Sequence, residues 1–323
     1  MKFFRYTAIF LIFVLGLMSC QKENASHWDN AIDTPKEAVS VTDISGDFFN
    51  PSISTVAFKQ KYPWFQGTVS DADFEARRSD STEIKIYKEA IAKINQPQLK
   101  SDLSELFTRV KFYFPSFQTP KVYLFSSALQ MAKDPIILDP NEGFLFIDIS
   151  GFMGENNSNY KGIEQYYQKS MQPQNIVPKV SQIIAEQLVP ASLEHQKFID
   201  MLIYNGKIML LQDAFLPKTP DDLKINYTPQ QYDWAIANEE NIWNYFIEND
   251  LIFSDESRLQ ERFITPGPFS KFYTAIDNES SPQIGIFIGW QICKAYFEKN
   301  PKTPLMDFLA LDSETIFNNS GYK

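Results

Sequence analysis

Apolar and polar positions divide this chain into three stretches. Residues 7–18 (TAIFLIFVLGLM) form an unbroken apolar run of 12 residues behind Lys2 and Arg5. Residues 21–35 (QKENASHWDNAIDTP) are polar and unpatterned, as a tether would be. Beyond them, apolar residues recur every three or four positions over 81–94 and 99–112, which predicts two amphipathic helices. Pro115 and Pro120 interrupt that pattern. Strand-like runs follow at 122–125, 135–138 and 144–149, separated by Asp-Pro and Asn-Glu-Gly turn signals. Helical spacing then returns over 160–171, 177–189, 192–215, 229–249 and 284–300. Thr228-Pro229-Gln230-Gln231 has the form of a helix start, with a capping hydroxyl, proline in the first turn and glutamine at the third position. There is no internal repeat and no long Gly/Ser linker. The architecture expected is α+β and predominantly helical, with a small central sheet packed by helices.

The apolar run is too short to remain in a bilayer as a span. At 1.5 Å per residue it reaches about 18 Å, against a hydrocarbon core of about 30 Å. With its basic start it reads as an export signal. Leu17-Met18-Ser19-Cys20 ends it and resembles a bacterial lipobox. That resemblance implies a diacylglycerol on the Cys20 thiol, cleavage before Cys20, and acylation of the new amino group, with palmitate among the acyl chains. Several chains at about 0.8 kcal/mol per buried methylene make a lasting anchor. A plain secretory signal with a coincidental cysteine is the alternative. The organisation expected is thus a signal over 1–19, a lipidated tether over 20–35, and one α+β domain over 36–323. Cys20 and Cys293 are the only cysteines, so a thioether at Cys20 leaves no intrachain disulfide. Cys293, in an apolar helical run, is expected to be a buried small hydrophobe. Gln21 follows the lipidated position where an inner-membrane signal would place Asp, which favours the outer membrane over the inner. Gln21-Lys22-Glu23 also resembles tracts that mark surface export in some Bacteroidetes lipoproteins.

Removing residues 1–19 takes away Lys2 and Arg5 and no acid, carrying the net charge from −10 to −12. Such a chain repels nucleic acid, which is therefore not expected as a partner. The chemistry inventory is short. The sequence has no G-x-S-x-G elbow, P-loop or Gly-rich dinucleotide turn. His27 and His195 are the only histidines, and His27 lies in the tether, so a multi-histidine zinc site is not available. Asp213, Asp221 and Asp222 could supply a carboxylate cation site but follow no known loop spacing, and solvated surface is their expected setting. No metal and no cofactor are expected. In residues 180–189 (VSQIIAEQLV), Glu186 stands where a zinc-peptidase helix has its water-activating glutamate, with Ala185 and Val189 at the ligand positions. On pattern alone this is an apolar helix with one glutamate. Gly285 and Gly289, four apart, would let a second helix backbone approach closely. Residues 263–269 place Pro-Gly-Pro in a rigid turn beside that helix.

Several longer stretches carry a family resemblance. These are I-I-A-E-Q-L-V-P (183–190), F-I-D-M-L-I-Y-N-G-K (198–207), W-A-I-A-N-E-E-N-I-W-N-Y-F-I-E (234–248), P-F-S-K-F-Y (268–273), D-N-E-S-S-P-Q-I-G (277–285) and G-W-Q-I (289–292). With the lipobox, they resemble the gliding-motility lipoprotein GldB family of the Bacteroidetes over nearly the full length. The resemblance implies a role in gliding, linked to type IX secretion, with other gliding or secretion proteins as partners and a lipid bilayer reached through acylated Cys20. It also implies a distant relation to zinc proteases with a His-Glu-x-x-His helix and a Glu-Gly on the next helix. Their histidines fall at Ala185 and Val189, and their Glu-Gly at Asn205-Gly206, so only Glu186 is kept. The expectation is a degenerate zincin-like fold without metal or catalysis, reused as a binding or structural module. Glu186, Gln187, Gly289 and Trp290 are the candidate groove. A buried Glu186 would need hydrogen-bond partners, from Gln187 or the sheet, or an open groove. Two other readings remain: a hydrolase working through Glu186, and a nutrient-binding surface lipoprotein with Trp234, Trp243 or Trp290 exposed in a cleft.

Overall fold

The computed structural model describes residues 28, 32, 34–65, 69–190, 197–275 and 277–323. The apolar run, Cys20, His27 and His195 lie outside the described residues. The three expected strands are present and a fourth joins them. β1 (Val41–Asp43) pairs in parallel with β2 (Lys121–Phe125), and β2 in parallel with β4 (Phe144–Asp148). β3 (Ile136–Asp139) closes one edge antiparallel to β4, giving the order β1-β2-β4-β3.

The register sends alternate side chains to two cores. Val122, Leu124, Leu145 and Ile147 enter the main helical core. Phe125 lies instead with Ile44, Phe48, Phe58, Tyr62 and Phe74 in a second core, against which Tyr123 and Phe146 pack. That second core is built by α1 (Ile44–Phe48), α2 (Thr55–Lys61) and α3 (Asp71–Arg78). Each starts on a side-chain cap, from Asp43, Ser54 and Ser70 in turn. Because both faces of the sheet are covered, β2 and β4 read as apolar runs rather than as alternating ones.

α4 (Ser81–Lys93) and α5 (Gln96–Tyr113) follow the two expected helical patterns, capped by Asp80 and Asn95. After the sheet come α6 (Gln165–Gln168), α7 (Ile176–Leu188), α8 (Phe198–Phe215) and α9 (Asp221–Lys224). Then follow α10 (Pro229–Ala237), α11 (Glu239–Glu248), α12 (Arg258–Phe263), α13 (Ile284–Lys299), α14 (Leu305–Ala310) and α15 (Ser313–Ser320). α10 begins with the expected capping box, Thr228 and Gln231 bonding each other's backbone N–H. Of the described residues 56% are helical, which makes this a predominantly helical α+β protein. No described helix is long and apolar enough to cross a membrane.

α8 and α13 cross at the centre. A methyl group on Gly289 would strike the Leu202 carbonyl, and one on Gly206 would strike the carbonyl of Gly289. Two backbones therefore touch where the sequence has glycine on both sides.

Two expectations need correction. The helix expected over 160–171 is a 3-10 turn at Ser158–Tyr160 and the single turn of α6, because Gly162 at φ +97° stops propagation between them. The helix expected over 229–249 is two, α10 and α11. Asn238 divides them, with its amide donating to Trp234 O at 2.9 Å. Within the tether expected over 20–35, Trp28 is 7% exposed in the main core. Arg109 Nη2 donates to its carbonyl at 2.6 Å, and its ring meets Tyr113 and Phe297 edge-on. Of the helix expected over 192–215, residues 192–196 lie outside the described residues.

Candidate functional site

α7 is held to the main core by Ile176, Val180, Ile184 and Ala185. Its other side runs beside the free edge of β3. The Asp148 N–H donates to Pro135 O at 2.7 Å, which fixes the alternation of the ladder. By that alternation Ile136 and Leu138 turn their N–H and C=O groups away from β4. Gln187 Nε2 donates to the Leu138 carbonyl at 3.3 Å. Among the described residues, nothing else bonds the outward groups of Ile136 and Leu138.

Glu186 is half-buried next to this edge. Its partner is neither Gln187 nor the sheet, as expected from sequence, but Gln182, whose Nε2 donates to Oε1 at 2.9 Å. Gln182 Oε1 in turn accepts from Asn226 Nδ2 at 3.2 Å. Among the described residues no lysine or arginine pairs with the carboxylate. Burial pushes the Glu186 carboxyl above its usual range, and the Gln182 bond only partly opposes this. Burial also raises the Tyr204 hydroxyl on α8, with the Glu186 charge adding to it. Lys179 lies two helical turns before Glu186 on α7. Burial pulls its ammonium down to about 8, with Asp134 opposing. The site therefore holds a carboxyl whose charged form is disfavoured, beside unpaired strand backbone.

Ala185 and Val189, at the metal-ligand positions of the implied relation, are packed in the main core. Asn205, the third such position, is half-buried and its amide donates to Met201 O at 2.8 Å. Among the described residues no group of three or more His, Cys, Asp or Glu comes together to hold a metal ion. The other half of the expected groove is not at the surface. Gly289 is buried in the α8–α13 crossing, and Trp290 is 0% exposed with Nε1 donating to Asp213 Oδ2 at 2.7 Å. Both are packing positions, away from the β3 edge where Glu186 and Gln187 lie. Cys293 is fully buried, as expected, and burial drives its thiol pKa far up.

The aspartates expected on the surface are not a solvated cluster. Asp213 is 5% exposed, and its Oδ1 accepts from Lys224 Nζ at 2.7 Å. Lys224 also donates to Asp221 Oδ1 at 2.9 Å, and Asp221 Oδ2 accepts from Lys294 Nζ and Tyr232 OH, each at 3.0 Å. Lys294 lies 3.6 Å from the centre of the Trp290 ring. Two acids and two lysines thus join α8, α9, α10 and α13. Burial pushes the Asp213 carboxyl up, but its two donors at 2.7 Å favour the ionised form. Lys224 is desolvated too, yet Asp213 and Asp221 outweigh that and raise its pKa. Every carboxylate oxygen of Asp213 and Asp221 already accepts from Lys224, Lys294, Trp290 or Tyr232, so the cluster is structural. Trp243 is buried and Trp234 half-buried, so the three tryptophans named above line no exposed cleft.

Gln182, Asn226 and Tyr204 were not expected at the site from the sequence, nor were the outward groups of Ile136 and Leu138. Gln182 could have been found from its helical spacing, four residues before Glu186. A separate cleft of about 480 Å³ opens between the start of α5, the start of α7 and the end of α8, where Leu99, Ile176 and Leu216 line it. It does not include Glu186.

A model of the family described as gliding motility protein GldB matches residues 25–323. No curated protein and no solved structure matches the chain.

Proposed function

Because the chain belongs to the gliding motility protein GldB family, a family of membrane-anchored lipoproteins, we propose that acylated Cys20 holds it at a membrane, where it serves gliding through protein contacts without catalysis. The outer membrane is the leaflet system this reading favours, and the type IX secretion machinery supplies the partners. The fold is read as a peptidase-like scaffold that has lost its metal. One observation carries the non-catalytic part: the positions that would hold zinc, Ala185 and Val189, are apolar side chains closed into the core. What remains open is the β3 edge. An extended segment of a partner could add as a strand to Ile136 and Leu138, with Glu186 and Gln187 beside it. The test is Leu138→Pro, which removes an outward N–H while leaving the ladder to β4 paired. A deletion strain carrying this variant, folded and at normal abundance, is expected to lose colony spreading. Full spreading would remove the strand edge from the account. Stoichiometric zinc in the purified protein would contradict the metal-free reading.

One observation favours a second reading, a hydrolase. Glu186 has a raised pKa and lies beside an open strand edge, which suits a general acid. Among the described residues no group of three or more His, Cys, Asp or Glu comes together with it to hold a metal ion, so this reading stands second.

A further inference from the structure

Trp28 is the first of the described residues, and it is firmly held in the folded body. Its carbonyl accepts from Arg109, and Arg109 Nε donates to Ala214 O at 2.8 Å, so one buried guanidinium ties Trp28 to the end of α8. The Trp28 ring is wedged between Tyr113, at the end of α5, and Phe297, near the end of α13. Seven residues lie between Cys20 and Trp28, making eight Cα-to-Cα steps. Even fully extended, they span at most about 29 Å. A body of nearly 300 residues is about 50 Å across, from its expected radius of gyration. A leash that short, fixed at one point, cannot let the opposite side of the body reach the surface that holds its other end.

From this geometry we infer that the ends of α5 and α13, around Trp28, form the face lying against the lipid headgroups. The inference rests on the proposed acylation of Cys20. The surface there suits that partner. Phe112 is 49% exposed, and its ring meets Tyr113, which itself meets Trp28. Lys299 and Lys302 are exposed just beyond Phe297, where they can meet anionic headgroups although the chain as a whole is acidic. An aromatic at headgroup level with lysines beside it is a common interfacial combination. The orientation also places the candidate site. Tyr204, next to Glu186, lies ten residues before Ala214 on α8, about 15 Å along the axis. The β3 edge is thereby set away from the anchor point rather than under it.

The test uses the full mature protein, acylated at Cys20 and bound to vesicles of phosphatidylethanolamine and phosphatidylglycerol doped with a headgroup nitroxide lipid. A fluorophore is attached at Phe112→Cys or at Phe253→Cys. Cys20 is blocked by its lipid and Cys293 is buried, so neither reacts. Phe253 is a matched control, 54% exposed beside the start of α8 through the bond from Phe198 N–H to Ser254 O. Quenching several-fold stronger at 112 than at 253 is expected. A long Gly/Ser insertion between Glu23 and Asn24 leaves the fold alone and lengthens the leash, and is expected to bring the ratio toward one. Protein that floats with the vesicles but is quenched equally at both sites overturns the orientation alone. Protein that does not float overturns the anchor, and the orientation with it.

Discussion

Two carboxylates on neighbouring helices, Asp213 on α8 and Glu186 on α7, show how differently one core can treat an acid. Asp213 is almost fully buried and accepts from Lys224 and Trp290, each at 2.7 Å. Glu186 is less buried, yet its one bond comes from a neutral amide, Gln182. The deeper charge is compensated and the shallower one is not. An ionised group left short of partners near the surface costs stability and so marks a place where something other than stability can be at work. By that criterion Asp213 belongs to the architecture and Glu186 to the candidate site.

The comparison can be broken most forcefully at Lys224. Lys224→Met leaves Asp213 buried without its cation and is expected to cost about 3–5 kcal/mol in chemical denaturation. Alkaline pH should partly imitate it. The folded pKa of Lys224 is raised above 10.5, so its contribution is fully present below that value and is lost as pH rises through the folded pKa. Trp290→Phe keeps the ring but removes the donor to Asp213 Oδ2, for an expected loss of about 1–3 kcal/mol on the same denaturation curves. Glu186→Gln should be the mildest, neutral to slightly stabilising near pH 7. Because the folded Glu186 pKa lies above 4.5, the wild type loses stability as pH rises from 4.5 through the folded value. The Gln variant should lack that decline, so the two stability profiles should diverge with rising pH. Parallel profiles would mean that Glu186 is solvated like an ordinary surface acid.

Much of the fold was legible because its long elements bury one stripe or a whole strand. α4, α5, α7 and α13 and the three strands of the second sheet half follow from apolar spacing alone. What escaped was the region 41–78. There β1 is only three residues long, and α1 to α3 are short helices held mainly by caps and by contact with Phe125 and Phe146 on the far face of the sheet. Such elements are made by tertiary packing, which a local pattern does not record. The candidate site was half legible. Glu186 stood out through its place in a helical motif, and Gln187 through adjacency. Gly289 and Trp290 were misplaced because helical spacing shows that two residues share a face, but not whether that face meets solvent or another helix. The same limit explains Asp213. An acid in an apolar run reads as surface until Lys224, eleven residues on, is seen to turn back onto it.

The central claim is that this protein serves gliding as a binding module whose retained carboxylate does no chemistry. Colony spreading of a deletion strain complemented with Glu186→Gln at wild-type abundance tests it most directly, since glutamine keeps the shape and removes the proton-transfer group. Spreading equal to the wild-type complement is the predicted result. A folded, abundant Glu186→Gln protein that fails to restore spreading would contradict the claim and give the carboxylate a chemical task.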